Sequence, residues 1–314
     1  MAVTLSQSAL LSETKLQRGV IETFIIESVI LDRIPLLEIL GNAYAYNEES
    51  TLPGIEFRAV NGSYTESTGA VNQKTETLVI LGGEADVDTF IQQVRSDLND
   101  QRAVQTRLKV KAATYKFQDT FINGDVAVDV NSFDGLKKRL TGNQVISAGT
   151  NGLAVLGADD AARHAFFDKL DELAAAVEGG PDAFYLNQSI LAKIKSSARR
   201  LTMFDQTTDS FGKTITTYNG IPLLDIGKNA AGTPILPQTE TQGSSNVASS
   251  IYAVRYGQDE TDRGVTGLTN GGVQVKDLGE LQAKPAWRTR IEFFCGMALF
   301  GGKAAARLTG VLNA

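Results

Sequence analysis

The stretch FIQQVRSDLNDQRAVQTRLKVKAATYKF, Phe90–Phe117, contains neither Gly nor Pro, the two residues that most readily end a helix. Around it, Val87, Phe90, Ile91, Val94 and Leu98 form one apolar stripe at helical spacing. Val104, Leu108, Ala112 and Tyr115 continue that stripe, displaced by roughly 50–60°. The spacing predicts a helix from near Asp86 to Phe117, about 48 Å long at 1.5 Å per residue, with a bend near Asn99 where SDLNDQ breaks the stripe. Its charge is polarised: Asp86, Asp88, Asp97 and Asp100 precede Arg102, Arg107, Lys109, Lys111 and Lys116. Acids early and bases late suit the helix dipole. Arg102, Lys109 and Lys116 also recur every seventh residue and so share a face. Such a row can meet a polyanion through phosphate contacts without reading sequence.

The totals set the frame for that rod. The chain has 314 residues, 42% hydrophobic and 21% charged, enough for one large domain or two modest ones and too apolar for wholesale disorder. The net charge of −6 makes the chain no polycation, so contact with nucleic acid requires a local patch. The single cysteine, Cys295 in EFFCGMALF, excludes an intrachain disulfide and reads as a small buried hydrophobe. The N-terminus lacks the basic start and apolar core of a signal peptide. VIETFIIESVIL carries Glu22 and Glu27 and is too short and charged to span a bilayer. A soluble protein made in a reducing cytoplasm is expected.

Along the chain, residues 1–17 read as a polar arm. Val20, Ile21, Phe24, Ile25 and Val29 predict a helix over residues 18–40, interrupted at Pro35, with a second turn or short helix after it and a stop at Gly41-Asn42. YAYNEES, GIEFRAVNGSY and KTETLVIL are strand-like and predict a long projecting hairpin over residues 43–83, ended by Gly82-Gly83. A hairpin of this kind is marginal alone and needs a partner surface. Asp159 or Asp160 caps a helix carrying Phe166, Phe167, Leu170 and Leu173. DAFYLN reads as a buried strand, QSILAKIKSSARRL as a helix and FGKTITTYNGIPLLDIG as a strand pair. From Ile251 onward strands dominate, and the whole is α+β in class, with a helix–strand alternation that also suits an α/β lobe.

Catalytic signatures do not emerge. His164, the one histidine, sits on a helix beside two phenylalanines, without companions for a metal site. Gly212-Lys213-Thr214 resembles the end of a phosphate loop, but its first glycine would fall at Thr207. Asp86-Val87-Asp88 reads as helix-start capping rather than a metal pair, and Asp259, Glu260 and Asp262 as a solvated turn. No catalytic, cofactor-binding or metal residue is assigned, and no enzyme activity is expected.

The order of parts resembles the major capsid proteins of tailed bacteriophages, which share the HK97-like fold. GNAYAYNEES and GIEFRAVNGSYTES at the hairpin, GGEADVD entering the rod, FINGD, FDGLKKRLTGNQ, AFYLNQSILAKIKSSAR and YNGIPLLDIG carry the resemblance over essentially the whole chain. It implies an N-terminal arm (1–41) embracing neighbouring subunits and an extended E-loop (42–83) over an adjacent subunit. It also implies a P-domain with a spine helix (84–131), an A-domain (132–260), P-domain return strands (261–302) and a C-terminal A-domain strand (303–314). The implied function is self-assembly into pentamers and hexamers of an icosahedral shell around double-stranded DNA, in a virion assembled in the host bacterial cytoplasm. Arg102, Lys109 and Lys116 would then face inward toward DNA. A short arm beginning at Met1 implies a separate scaffolding protein; a portal and a decoration protein are further partners of that setting, and a membrane is not.

An encapsulin-like compartment shares the fold and would hold a cargo enzyme instead; the polar arm and long hairpin favour the virus. A carboxylate enzyme lacks a nucleophile, metal cluster or phosphate cradle, and tail-tube or decoration proteins lack such a long helix. Some capsid proteins form Lys–Asn crosslinks from the hairpin tip. Lys74 is the hairpin's one lysine and the candidate for intersubunit contact at the tip; a solvated lysine outside any crosslink is the favoured reading. Subunits from assembled particles should therefore migrate as monomers in denaturing gels; a ladder of covalent multimers would establish crosslinking.

Overall fold

The computed structural model describes residues 28–95, 101–201, 205–208 and 214–314. At its centre a 23-residue helix, α2 (Gln101–Asn123), lies against a four-stranded sheet. That sheet has the order β1 (Leu36–Glu38), β13 (Val265–Glu280), β14 (Ala286–Leu299), β4 (Val79–Asp88). β1 runs parallel to β13, and the other pairs are antiparallel.

The helix turns a different face to the sheet from the one the apolar stripe predicts. Thr106, Val110, Thr114, Phe117 and Phe121 are buried, whereas Val104 and Leu108 are 37% and 54% exposed. The aromatic end decides the rotation. Phe117 meets Phe121, Phe133 and Phe293 at centroid distances of 6.4, 6.0 and 6.0 Å. The threonines tolerate burial because they satisfy their hydroxyls on their own helix. Thr114 donates to the Val110 carbonyl at 3.1 Å and Thr120 to that of Lys116 at 2.8 Å.

The start of the expected rod, Asp86–Asp88, is strand. GGEADVD belongs to β4, which pairs with β14 from Val79↔Cys295 to Asp88↔Ala286. Gly82 and Gly83 therefore lie inside a strand rather than ending the hairpin. A Cβ on Gly82 would come within 2.4 Å of the Ile291 carbonyl oxygen, so the glycine permits a close backbone approach. A short helix, α1 (Thr89–Arg95), follows. The Asp88 carboxylate accepts from the Phe90 amide at 2.8 Å, whereas Asp86 serves the strand pair. The predicted bend near Asn99 lies outside the described residues.

Two further expectations fail locally. After Pro35 the chain forms β1, with Leu36 opposite Gly267, rather than a second helical turn. The predicted helix over residues 18–40 otherwise falls mostly outside the described residues, and residues 29–33 are a turn. In the hairpin, β2 (Ala43–Thr51) pairs with β3 (Ala70–Thr77). GIEFRAVNGSY carries no ladder; it is an exposed loop turning at Asn61, φ 68°. Strand-like alternation did not suffice there because, among the described residues, no strand lies beside the loop to pair with it.

The other sheet has nine strands. Its main path is β5 (Val145–Ser147), β15 (Ala305–Leu312), β12 (Ser245–Val254), β7 (Ala183–Leu186), β10 (Ile221–Asp225), β9 (Thr214–Tyr218), β8 (Asp205–Thr208), with β6 (Leu153–Ala154) paired to β15 and β11 (Glu240–Gln242) to β12. β7 is buried along its length, as its unbroken apolar sequence requires. Phe184 and Leu186 face a core with α4 (Asp160–Ala175) and α5 (Gln188–Arg200), while Ala183 and Tyr185 face the core shared with Phe117 and Phe293. Asp159 caps α4 by accepting from the Ala162 amide at 2.8 Å. Cys295 is buried in the first core, where burial pushes its thiol up to about 12. Between α2 and the second sheet's elements, a loop at 124–135 leads into α3 (Leu136–Arg139).

Because Phe117 joins helix, sheet and the 124–135 loop, Phe117→Ala should cost about 3–5 kcal/mol. The shift in denaturant midpoint, compared with that of the exposed Leu108→Ala, measures it.

Candidate assembly surfaces

The hairpin loop exposes a run of large apolar residues. Ile55 is 96% exposed, and Leu52, Phe57, Val60 and Tyr64 are exposed with it. Monomeric proteins rarely keep such a cluster in water. The root of the hairpin, in contrast, is firmly fixed. The Arg139 guanidinium makes a two-pronged contact with Glu76, with Nη2–Oε2 at 2.6 Å and a second, shorter contact from Nη1 to Oε1. Tyr46 donates to the Leu299 carbonyl at 3.2 Å and packs edge-on against Phe300, centroids 4.9 Å apart. Tyr44 donates to Glu260 Oε1 at 2.6 Å, and burial together with that carboxylate raises its hydroxyl to about 12. A signal for this anchor was present in AYAYNEES: alternation puts Tyr44 and Tyr46 on one strand face. Nothing local pointed to Arg139.

Lys74 lies on the paired part of the hairpin, in β3 opposite Tyr46, not at the tip. Its ammonium is 2.5 Å from Glu48 Oε2.

A second surface lies beside the sheet edge. Leu78, Val79, Ile80, Val126 and Val130 line a groove of about 470 Å³. Val126, Val128 and Val130 are exposed on the loop, as is Ile80 on β4.

The sheet face turned away from α2 bears a charge ladder. Arg288 holds Asp86 by two bonds of 2.6 and 2.8 Å and reaches Glu84 at 2.7 Å. Arg290 contacts Glu84 at 2.6 Å, and Lys284 meets Asp86 at 2.5 Å. These are cross-strand neighbours, Asp86↔Arg288 and Glu84↔Arg290, the sheet counterpart of paired charges on a helix.

The three bases of the seven-residue row have unlike surroundings. Arg102 is 2.7 Å from Asp277, hydrogen-bonds Thr289 at 3.3 Å and lies 5.2 Å over the Trp287 ring. The Lys109 methylenes lie over Gly83. Lys116 is 58% exposed and 4.0 Å from Asp129. Two of the three thus lie against their own sheet, and Lys116 is the one most open to solvent. His164 is exposed on α4. Among the described residues no group of three or more His, Cys, Asp or Glu could hold a metal ion, and no helix is long and apolar enough to cross a membrane.

Hydrogen bonds first from Arg288 and then from Lys284 hold the Asp86 carboxyl well below its ordinary 3.8. A depressed folded-state pKa gives stability that is present above 3.8 and lost as pH falls below it. The gap in urea midpoint between wild type and Asp86→Asn should therefore be widest at neutral pH and narrow below pH 3.8.

Residues 15–158 match the family model Major capsid protein GP7. No curated protein matches the chain. A chain of the holo-SrpI encapsulin complex from Synechococcus elongatus PCC 7942 is 18% identical, with 100% of this chain and 98% of that one covered and a TM-score of 0.66. The capsid of a native GTA particle is 16% identical over 91% and 90% of the two chains, TM-score 0.60. A structure from Mycobacterium phage Bobi is 14% identical over 91% and 90%, TM-score 0.60. At these identities the likeness is one of fold.

Proposed function

We propose that this chain, a major capsid protein with the HK97-like fold, self-assembles through pentamers and hexamers into an icosahedral shell that encloses the double-stranded DNA of a tailed phage. The observation that carries the assembly reading is the hairpin, held at its root by Arg139–Glu76 and the tyrosines while its apolar tip is exposed among the described residues. A closed shell is built by heterologous contacts between identical chains, and an anchored arm supplies contact area without enlarging the core. In this reading residues 42–83 act as the E-loop. The four-stranded sheet with α2 acts as the P-domain, and the nine-stranded sheet with α4 and α5 as the A-domain. Contact with packaged DNA is non-specific, with Lys116 the best-presented base of the Arg102–Lys109–Lys116 row. A separate scaffolding protein and a portal complete the assembly in the host cytoplasm, and a decoration protein is compatible with it.

An encapsulin-like compartment is the second reading, favoured by the full-length likeness to the encapsulin chain at TM-score 0.66. Negative-stain electron microscopy of the purified protein, with and without candidate scaffolding proteins, should show closed icosahedral shells. A discrete monomer or small oligomer under every condition would overturn both readings. Particles from the native source should carry nuclease-protected DNA; a co-purifying cargo enzyme with no nucleic acid would select the compartment.

A further inference from the structure

Across both sheets, bases meet acids. Lys74, Lys138, Arg139, Lys284, Arg288, Arg290 and Arg307 each lie within ion-pair distance of a carboxylate. Helix α5 (Gln188–Arg200) differs. It carries Lys193, Lys195, Arg199 and Arg200, and the sequence has no acid from Ala183 to Phe204. Among the described residues no carboxylate lies within ion-pair distance of these four. Arg199 and Arg200 are exposed, and Lys193 and Lys195 are half-buried.

The four bases stand in two lines. At 100° per residue, Lys195 and Arg199 lie on one flank of the helix and Lys193 and Arg200 on the other. Ser189, Ala192 and Ser196 form a low ridge between the flanks, while Ile190, Leu191, Ile194, Ser197 and Ala198 are buried on the opposite face. Arg199 Nε donates to the Lys195 carbonyl at 3.3 Å, which sets its guanidinium on that flank. Bases in a last turn suit the helix dipole. That accounts for Arg199 and Arg200 but not for Lys193 and Lys195, which lie near the middle of the helix. Lys195 and Arg199 are also four residues apart, where like charges repel. Such a face fits a partner of opposite charge. Two lines of cations on either side of a low ridge match the two phosphate strands that border the major groove of duplex DNA, about 12 Å wide and able to admit an α-helix. The short side chains of the ridge allow close approach and offer little to base edges.

We infer that α5 is the surface through which this chain meets duplex DNA. Lys195 and Arg199 take phosphates of one strand and Lys193 and Arg200 those of the other, without reading sequence. The main DNA contact thereby moves from α2, where Arg102 and Lys109 lie against their own sheet, to a helix of the second sheet. The cationic face is independent of the shell; the choice of DNA as its partner rests on the proposed function.

Fluorescence anisotropy of a labelled duplex of mixed sequence, titrated with the full chain kept dilute and unassembled, tests it. Four phosphate contacts should make the logarithm of the association constant fall with that of salt at a slope of about −3.6, and equally for a second sequence. Lys193→Gln, Lys195→Gln, Arg199→Gln and Arg200→Gln together should weaken binding at least ~10-fold and flatten the slope, whereas Lys116→Gln should change it by no more than about 0.9. A urea midpoint equal to wild type verifies the fold of each variant. On the unaltered chain, the same duplex should protect Lys193 and Lys195 from acetic anhydride but not the exposed Lys303, read by mass spectrometry. No binding, binding and slope that survive loss of the four bases, unprotected Lys193 and Lys195, or tighter binding to polyglutamate of equal charge, which would make the partner an acidic protein, overturns the inference. Closed shells from a chain whose DNA binding ignores α5 leave the proposed function standing. Binding through α5 by a chain that never assembles keeps the inference and overturns that function.

Discussion

The packing of Phe117 and Phe121 against β14 is the contact on which the rest of the chain depends. It fixes the rotation of α2, and the rotation determines what each helix face can do. One face closes the core with Phe133 and Phe293. A second face, bearing Val104 and Leu108, is exposed. The flank between them carries Lys109 and Lys116. Aromatic side chains bury more area than valine or leucine, so two phenylalanines at the helix end outweigh the longer aliphatic stripe.

The hairpin shows the complementary arrangement of order and exposure. Its root combines a two-pronged arginine–carboxylate contact, strong and directional, with tyrosines whose rings are packed and whose hydroxyls are satisfied. Among the described residues its tip has neither a ladder nor a cover. A rigid root aims the arm and keeps its ordering cost low when a partner surface meets the tip. The cross-strand ladder of Glu84, Asp86, Arg288 and Arg290 stiffens the neighbouring sheet, from which the hairpin emerges, and it does so on the face that α2 does not cover.

Much was legible in the sequence. An amphipathic pattern identified α4 and α5, the unbroken apolar run of DAFYLN identified β7, and alternation identified the paired arms of the hairpin. Composition and the order of elements pointed to an α+β chain, because each long-period pattern is a local property of the chain. The candidate sites were less accessible. A seven-residue repeat groups Arg102, Lys109 and Lys116 on one flank of a helix, yet it carries no information about what that flank touches. Lys74 lies in the hairpin as its number suggests, but the register that sets it opposite Tyr46, beside Glu48, belongs to the strand pair.

Sequence by itself determined the class of the chain, the existence of the long helix and the projecting hairpin. Tertiary structure alone decided that GGEADVD is strand, that Asp86 and Glu84 pair with arginines 202 and 206 residues away, and that α2 turns its phenylalanines inward. The reason is the range of the forces involved. Helical and strand periodicity arise from neighbours along the chain, whereas the acids and glycines of residues 82–88 suit a helix start and a strand equally well. The choice between them required β14, a partner that comes close only when the whole chain has folded.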